Sequence, residues 1–274
     1  MKNFYSRIIS GFIYVVLVLG SIILGKYTFF VFFALLLSYT LYEFYRLCKS
    51  AGNHPQVVLG IIISVYLFVA FFFYDLKFIG EIIFLGFIPL LMTIAITELF
   101  KNNENPVQNI AFTLLGIAYI AFPFSVLNFI ISPYVQNPEI YVPEALIGLF
   151  IILWANDSGA FITGRLLGRT KMIERISPNK TWEGAIGGAV FAIIISLVLY
   201  RFIGFLSPVH TIMVTLLTVV AGTLGDLTES MIKRSFKVKD SGRLMPGHGG
   251  LLDRFDSMLF AAPIYYIYIS LILN

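Results

Sequence analysis

Long apolar stretches constrain this chain more than any other feature. A helix needs about 20 mostly apolar residues to cross about 30 Å of hydrocarbon. Nine segments rich in Phe, Ile, Leu and Val meet that requirement: 8–25, 27–47, 57–75, 78–100, 107–131, 144–164, 183–203, 209–232 and 252–273. Hydrophobic residues form 58% of the chain and charged residues 12%, whereas soluble domains have about 45–50% and about 25%. We therefore predict an all-α polytopic integral membrane protein with about nine transmembrane helices.

The basic residues predict the orientation of these spans, because Lys and Arg concentrate in cytoplasmic loops. A cytoplasmic N-terminus places 16 of the 19 Lys and Arg residues on the cytoplasmic side. Only Lys26, Lys77 and Arg201 then lie outside. The formal net charge of +4 thus reflects membrane topology, and we expect no nucleic-acid partner.

The two halves of the chain differ in kind. Residues 1–140 carry few charges and no cluster typical of a site, so we interpret them as transmembrane helices with structural, dimer-forming or lipid-facing roles. Residues 141–274 hold acidic residues within apolar segments, together with two basic loops, 165–182 and 233–252. We predict that this second region is catalytic and that both loops are cytoplasmic.

Acidic residues lie at the cytoplasmic ends of the last two spans. Asp226 and Glu229, followed by Ser230, are three residues apart and share a helix face, as do Asp253 and Asp256. A carboxylate in a membrane helix is costly and indicates a functional site. For Asp226 and Glu229 the alternative is a frayed helix end at headgroup level.

The last two spans are antiparallel, so their cytoplasmic ends can bring Asp226, Asp253 and Asp256 together. Clustered carboxylates repel one another, and a divalent cation removes that repulsion. The available ligands are all oxygens, which favours Mg²⁺, with Mn²⁺ as an alternative. The other interpretation is that Arg254 and nearby lysines neutralise these acids as ion pairs.

The loop between these spans combines basic residues with glycines. Lys239 precedes a glycine-rich segment in which His248 is followed by Gly249 and Gly250. Glycines let the backbone approach a ligand closely and expose N–H groups, so the loop is typical of a polyanion site. The alternative is a basic loop that is solvated or rests on anionic headgroups.

A second polar region joins spans six and seven. Asp157 lies inside span six and is either a further ligand or an interhelical hydrogen-bonding residue. Asn179 and Lys180 precede span seven, whose N-terminal N–H groups can bind phosphate. Gly164 and Gly184 belong to four-residue glycine spacings that favour close helix packing.

Polyanion-binding loops beside metal-binding carboxylates suit phosphoryl or nucleotidyl transfer. Transporters instead place ionisable residues near the bilayer midplane, often in repeated halves. Three alternatives remain: another metal-dependent lipid phosphotransferase, a cation or proton transporter that uses Asp157, Asp226 and Glu229, and a scaffold without catalytic activity.

Residues 230–256 resemble the signature of the phosphatidate cytidylyltransferase (CDP-diacylglycerol synthase) family, with Met245 as the one departure that we note. Residues 156–159 and 177–184 resemble upstream motifs of the same family. The resemblance implies that CTP and phosphatidate give CDP-diacylglycerol and pyrophosphate, for phospholipid biosynthesis. It also implies a Mg²⁺ cofactor, with a second metal ion as an option, a homodimer, and a bacterial-type inner (plasma) membrane with the active site facing the cytoplasm.

Both lines together suggest roles for individual residues. Asp226, Asp253 and Asp256 are the expected metal ligands, and Asp256 could instead pair with a lysine to orient the lipid phosphate. Asp256, Lys180 and Lys239 are the expected catalytic residues. The expected CTP- and phosphate-binding residues are Asn179, Lys180, Lys239, His248, Gly249, Gly250 and Arg254. Further candidates are Asp157, Glu229 and Ser230.

Overall fold

The structure is a computed structural model that describes residues 2–132, 141–203, 206–242, 244 and 249–273. These residues form eleven α-helices, one π-helical turn and one β-hairpin. The helices are α1 (Lys2–Ile23), α2 (Lys26–Ser50), α3 (Val57–Asp75), α4 (Ile82–Leu85), α5 (Phe87–Leu99), α6 (Pro106–Gly116), α7 (Phe122–Ile130), α8 (Pro143–Leu167), α9 (Trp182–Ile203), α10 (Pro208–Ser235) and α11 (Leu252–Leu273).

The predicted all-α membrane architecture is confirmed. Eight helical segments in the described ranges are long and apolar enough to span a bilayer. The predicted segment 57–75 coincides with α3, and the last four predicted segments coincide with α8 to α11 within a few residues. The first predicted span falls in α1, whose apolar part, Ile9–Ile23, is shorter than a typical span. The count of nine therefore stays a prediction.

Two of the predicted spans are not continuous α-helices. Segment 78–100 is divided at Gly86 into α4 and α5, and segment 107–131 contains the π-helical turn Ile117–Ala121 between α6 and α7. Pro123, in the first turn of α7, lacks a backbone N–H and cannot complete the preceding helical hydrogen bonds. A π-helical turn is one way in which a helix accommodates such a defect.

The loop before α9 contains a short β-hairpin, which the sequence did not lead us to expect. Strands β1 (Lys171–Ile173) and β2 (Ser177–Thr181) pair antiparallel, with Lys171 opposite Thr181. Glu183, in the first turn of α9, accepts hydrogen bonds from the backbone N–H groups of Arg169 and Thr170, both at 3.1 Å. The hairpin is thereby tied to the start of α9 and holds Lys180 on its second strand.

Close backbone packing holds the C-terminal helices together. A Cβ atom at Gly184 would lie 3.2 Å from the Cα atom of Gly164 and 3.1 Å from the carbonyl oxygen of Ala160, so α8 and α9 touch at glycines. The packing role predicted for this pair is confirmed. At the next contact, a Cβ atom at Gly225 on α10 would lie 2.6 Å from the carbonyl oxygen of Asp256 on α11.

The two basic loops lie at the same end of the bundle. The Arg234 side chain donates a hydrogen bond to the Ile176 carbonyl in the hairpin turn, at 3.3 Å, and another to the Val238 carbonyl after α10, also at 3.3 Å. Phe236 packs on Phe112 of α6, with 5.7 Å between ring centroids. This end of the bundle gathers most of the charged candidates from the sequence.

We predict that Gly225→Ala destabilises the protein by about 1–3 kcal/mol, because the added methyl group meets a backbone carbonyl that cannot rotate away. Thermal unfolding in detergent measures the effect. Gly20→Ala is the matched control, since a Cβ atom there has no neighbour within 4 Å. Equal unfolding temperatures for the two variants would contradict the tight contact between α10 and α11.

Candidate active site

A cavity of about 300 Å³ opens between α8, α9 and α10 at the end that carries the basic loops. Its wall combines the polar side chains of the predicted site with apolar groups that face the membrane helices. The lining residues that the sequence analysis singled out are Asp157, Asn179, Lys180 and Asp226. Gly164 and Gly184 lie in the same wall, so the glycine contact between α8 and α9 also shapes the cavity.

An ion pair crosses this cavity. The ammonium group of Lys180, on β2, contacts the Asp226 carboxylate on α10, and both side chains are about one quarter exposed, at 27% and 28%. Ser230, one turn further along α10, directs its hydroxyl to the other Asp226 oxygen at 3.4 Å. The cavity therefore presents a cation and an anion to a molecule that enters it.

Asp253, in the first turn of α11, organises the loop that precedes it. Its Oδ2 atom accepts hydrogen bonds from the Ser241 hydroxyl at 2.8 Å, the Ser241 N–H at 3.0 Å and the Gly250 N–H at 2.8 Å. Its Oδ1 atom contacts Lys233 at 2.6 Å. A single carboxylate thus joins both ends of the loop to α11.

Lys233 also compensates a second carboxylate. It lies one turn after Glu229 on α10, and its ammonium group contacts the Glu229 side chain, which is 1% exposed. Lys233 itself is only 12% exposed. Removing one member of a buried ion pair leaves an uncompensated charge, so Glu229, Lys233 and Asp253 form one interdependent unit.

A third group of charges surrounds Asp256. It lies within electrostatic range of Asp226 and Asp157, and Asp157 in turn lies within range of Lys180 and Arg254. Asp256 also lies within electrostatic range of Lys233 and Glu229, so it links the carboxylates of the cavity, Asp157 and Asp226, to the pair that Lys233 contacts.

The expected metal cluster of Asp226, Asp253 and Asp256 stays a prediction, because two of these carboxylates contact lysine side chains in this structure. Among the described residues, no three or more His, Cys, Asp or Glu side chains adopt a metal-holding geometry. The physical reason is that Lys180 contacts Asp226 while Lys233 contacts Asp253. The ion-pair alternative considered for these acids is what the structure contains at Asp253, with Lys233 as the partner.

Comparison with known proteins places this chain in a family. A model of the cytidylyltransferase family matches residues 5–272. The chain belongs to the cytidylyltransferase family. A phosphatidate cytidylyltransferase of Bacillus subtilis is 32% identical over 274 residues, which cover 99% of each chain.

Two further relatives match the chain over a shorter region. Phosphatidate cytidylyltransferases of Staphylococcus saprophyticus and Staphylococcus haemolyticus are 40% and 41% identical over 172 residues, or 62% of this chain and 63% of each relative. The family resemblance that the motifs suggested is therefore confirmed.

The structure brings some of the predicted site residues to the cavity and leaves others apart from it. Lys239 is exposed on the loop after α10, and Arg254 is exposed on the first turn of α11. Gly249 has a positive φ of 82°, a conformation that favours glycine. His248 lies outside the described residues.

Two residues from the first half of the chain reach the site and were not predicted. Glu43, on α2, accepts a hydrogen bond from the backbone N–H of Leu252 at 3.0 Å. Tyr119, in the π-helical turn, is 9% exposed, and its hydroxyl has no hydrogen-bond partner among the described residues. This tyrosine lies within electrostatic range of Glu229, Asp256 and Asp226. Each is an isolated polar residue in an apolar segment, and the only available signal was the cost of burying a polar group there.

We predict that Lys233→Met destabilises the protein by about 3–5 kcal/mol, because it leaves two buried carboxylates without their counter-charge. A denaturant titration in detergent measures the loss. Lys171→Met is the matched control, since Lys171 is exposed on β1 and joins none of the ion pairs found in the described part of the chain. If the two variants unfolded at the same denaturant concentration, the shared role of Lys233 would be refuted.

Proposed function

We propose that this protein is a phosphatidate cytidylyltransferase that makes CDP-diacylglycerol and pyrophosphate from CTP and phosphatidate. The observation that carries the proposal is the cavity crossed by Lys180 and Asp226, at the ends of membrane helices. A lipid phosphate can reach this position from the bilayer, and a nucleotide can reach it from water. Family membership and the names of the relatives support the same reaction.

The cationic residues bind the phosphates. Lys180, with Asn179 beside it, lies in the cavity wall and supplies positive charge for the triphosphate or for the lipid phosphate. Lys239 and Arg254 are exposed on either side of the glycine loop and can contact the part of the triphosphate nearer to solvent. The Gly249–Gly250 backbone brings this loop close to the nucleotide.

The carboxylates fit a magnesium site in the chemistry of their donors. Mg²⁺ takes oxygen ligands, keeps several waters, and is bound by one or two carboxylates together with substrate phosphates. Asp226 and Asp256 would hold the ion, joined by Asp253 through the Oδ1 atom that Lys233 contacts here. When bound, Mg²⁺ neutralises negative charge that develops on the phosphates during transfer.

The reaction itself is an in-line displacement. An ionised phosphate oxygen of phosphatidate attacks the α-phosphorus of CTP and forms a new phosphorus–oxygen bond. The bond from the α-phosphorus to the bridging oxygen of the β-phosphate breaks, and pyrophosphate leaves with the electron pair. The nucleophile is already ionised near neutral pH, so the residues of this chain act by positioning the reactants and by electrostatic stabilisation.

We predict that the purified protein in detergent releases pyrophosphate only when CTP, phosphatidate and Mg²⁺ are all present. EDTA and Asp226→Ala should each abolish release, because both remove the charge balance around the phosphates. Pyrophosphate and labelled CDP-diacylglycerol are measured together, and the folded state of the variant is checked by thermal unfolding.

A panel of nucleotides and lipid acceptors provides the control. Transfer to an alcohol or a prenyl phosphate, without formation of CDP-diacylglycerol, would favour a different lipid phosphotransferase. Full activity of folded Asp226→Ala would overturn the assignment of this cavity as the active site.

We also propose that the N-terminus and the active site face the cytoplasm of the inner membrane, that nine segments span it, and that the protein is a homodimer. The asymmetric distribution of Lys and Arg supports the orientation. In a Cys48→Ser background, an impermeant maleimide should label Lys77→Cys in intact cells and Lys239→Cys only in broken cells. The reverse pattern would refute the topology.

The proposed homodimer is tested by the mass of the detergent-solubilised protein, measured by light scattering.

A further inference from the structure

Glu43 connects the first half of the chain to the nucleotide site. It lies near the end of α2, in a span that contains no other acidic residue, and is 2% exposed. Its Oε2 atom accepts the hydrogen bond of Leu252 N–H, at the first residue of α11. The N–H groups of a first helical turn lack intrahelical partners, and a carboxylate there is favourable. Glu43 therefore holds the first turn of α11, which carries Asp253.

The same carboxylate packs against both ends of the glycine loop. A Cβ atom at Gly250 would lie 2.5 Å from Glu43 Oε2, and one at Gly242 would lie 2.8 Å from its carboxyl carbon. Only glycine fits at either position without displacing Glu43. The loop is therefore in contact with a buried carboxyl group that comes from a distant part of the sequence.

Glu43 and Asp253 hold this loop from two sides. Gly250 gives its N–H to Asp253 at 2.8 Å while its α-carbon faces Glu43. Asp253 lies within electrostatic range of Glu43, so the two acids share the loop between them. The second oxygen of Glu43, Oε1, has no hydrogen-bond partner among the described residues. A carboxylate used only for packing would more simply be replaced by an apolar side chain.

We propose that Glu43 is a positioning residue for nucleotide and metal binding, which acts through the first turn of α11 and the two ends of the preceding loop, at Gly242 and Gly250. The proposal rests on the proposed function. The effect depends on the reach of the side chain as far as Leu252 N–H. Loss of that hydrogen bond releases both Asp253 and the glycine backbone from their positions.

Two substitutions separate the effect of side-chain length from that of the carboxyl group. Glu43→Gln keeps a hydrogen-bond acceptor at the same distance, whereas Glu43→Asp keeps the carboxyl group but is one methylene too short. We expect Glu43→Gln to stay close to the wild type. Glu43→Asp and Glu43→Ala should raise the KM for CTP and the Mg²⁺ concentration for half-maximal rate by about 10- to 100-fold, as for other groups that orient metal ligands.

Glu98 provides the matched control, because it is another buried glutamate of the first half, also 2% exposed. Both of its oxygens accept hydrogen bonds from side-chain amides, those of Gln56, Asn103 and Asn109. Glu98→Asp should lower thermal stability and leave both kinetic constants unchanged. The proposal is overturned if Glu43→Asp behaves like Glu43→Gln, or if Glu98→Asp shifts the constants to the same extent.

Limited proteolysis gives an answer that does not depend on the reaction. Trypsin cleaves after Lys237 and Lys239, both exposed in the loop that follows α10. We expect faster cleavage there in Glu43→Asp than in Glu43→Gln, because the loop is no longer anchored to α2. If the wild type released no pyrophosphate, the proposed function would be wrong. The cleavage rates of the two variants would still test whether Glu43 positions the loop. Equal cleavage rates in the two variants would overturn its positioning role.

Discussion

The pairing of Lys233 with two buried carboxylates is the interaction on which the rest of the site depends. Glu229 and Asp253 lie on different helices, and each would be costly to bury as an isolated charge. Lys233 contacts both carboxylates, so it holds the last turns of α10 against the first turn of α11. Asp253 can then accept the hydrogen bonds of Ser241 and Gly250, which close the loop. The position of the loop thus depends on a charge balance between the two helices, which leaves Asp253 free to bind the loop backbone.

Backbone contacts between helices make this arrangement rigid. α8 meets α9 at Gly164 and Gly184, and α10 meets α11 at Gly225. Such contacts leave no side chain between the helices that could rotate and change their spacing. Asp157 and Asp226 therefore face the cavity from α8 and α10, each of which is fixed to a neighbouring helix through its main chain. This rigidity suits a reaction in which the protein contributes chiefly by placing phosphates and charges.

The sequence predicted the features that follow from apolar composition and from charges in unusual places. Segment 57–75 coincides with α3 because its ends are set by polar residues, and Asp226 was identified because carboxylates are rare in such helices. The hairpin that carries Lys180 was not predicted, since its strands are too short to show a periodic pattern. The partners of the acids were not predictable either, because a lysine side chain is long enough to reach more than one carboxylate. Only the packed structure shows that Lys233 pairs with Asp253 and that Lys180 pairs with Asp226.

The contrast between Glu43 and Glu98 explains why the first half of the chain was expected to lack site residues. Each is a buried acid in an otherwise apolar span, and the cost of burial indicates only that partners must exist. Glu98 has side-chain amide donors on both oxygens, which satisfies it within its own neighbourhood. Glu43 has a backbone partner at the start of α11 on one oxygen and none among the described residues on the other. The nature of the partners therefore distinguishes a structural acid from one coupled to a site, and those partners become visible only when α2 is placed against α11.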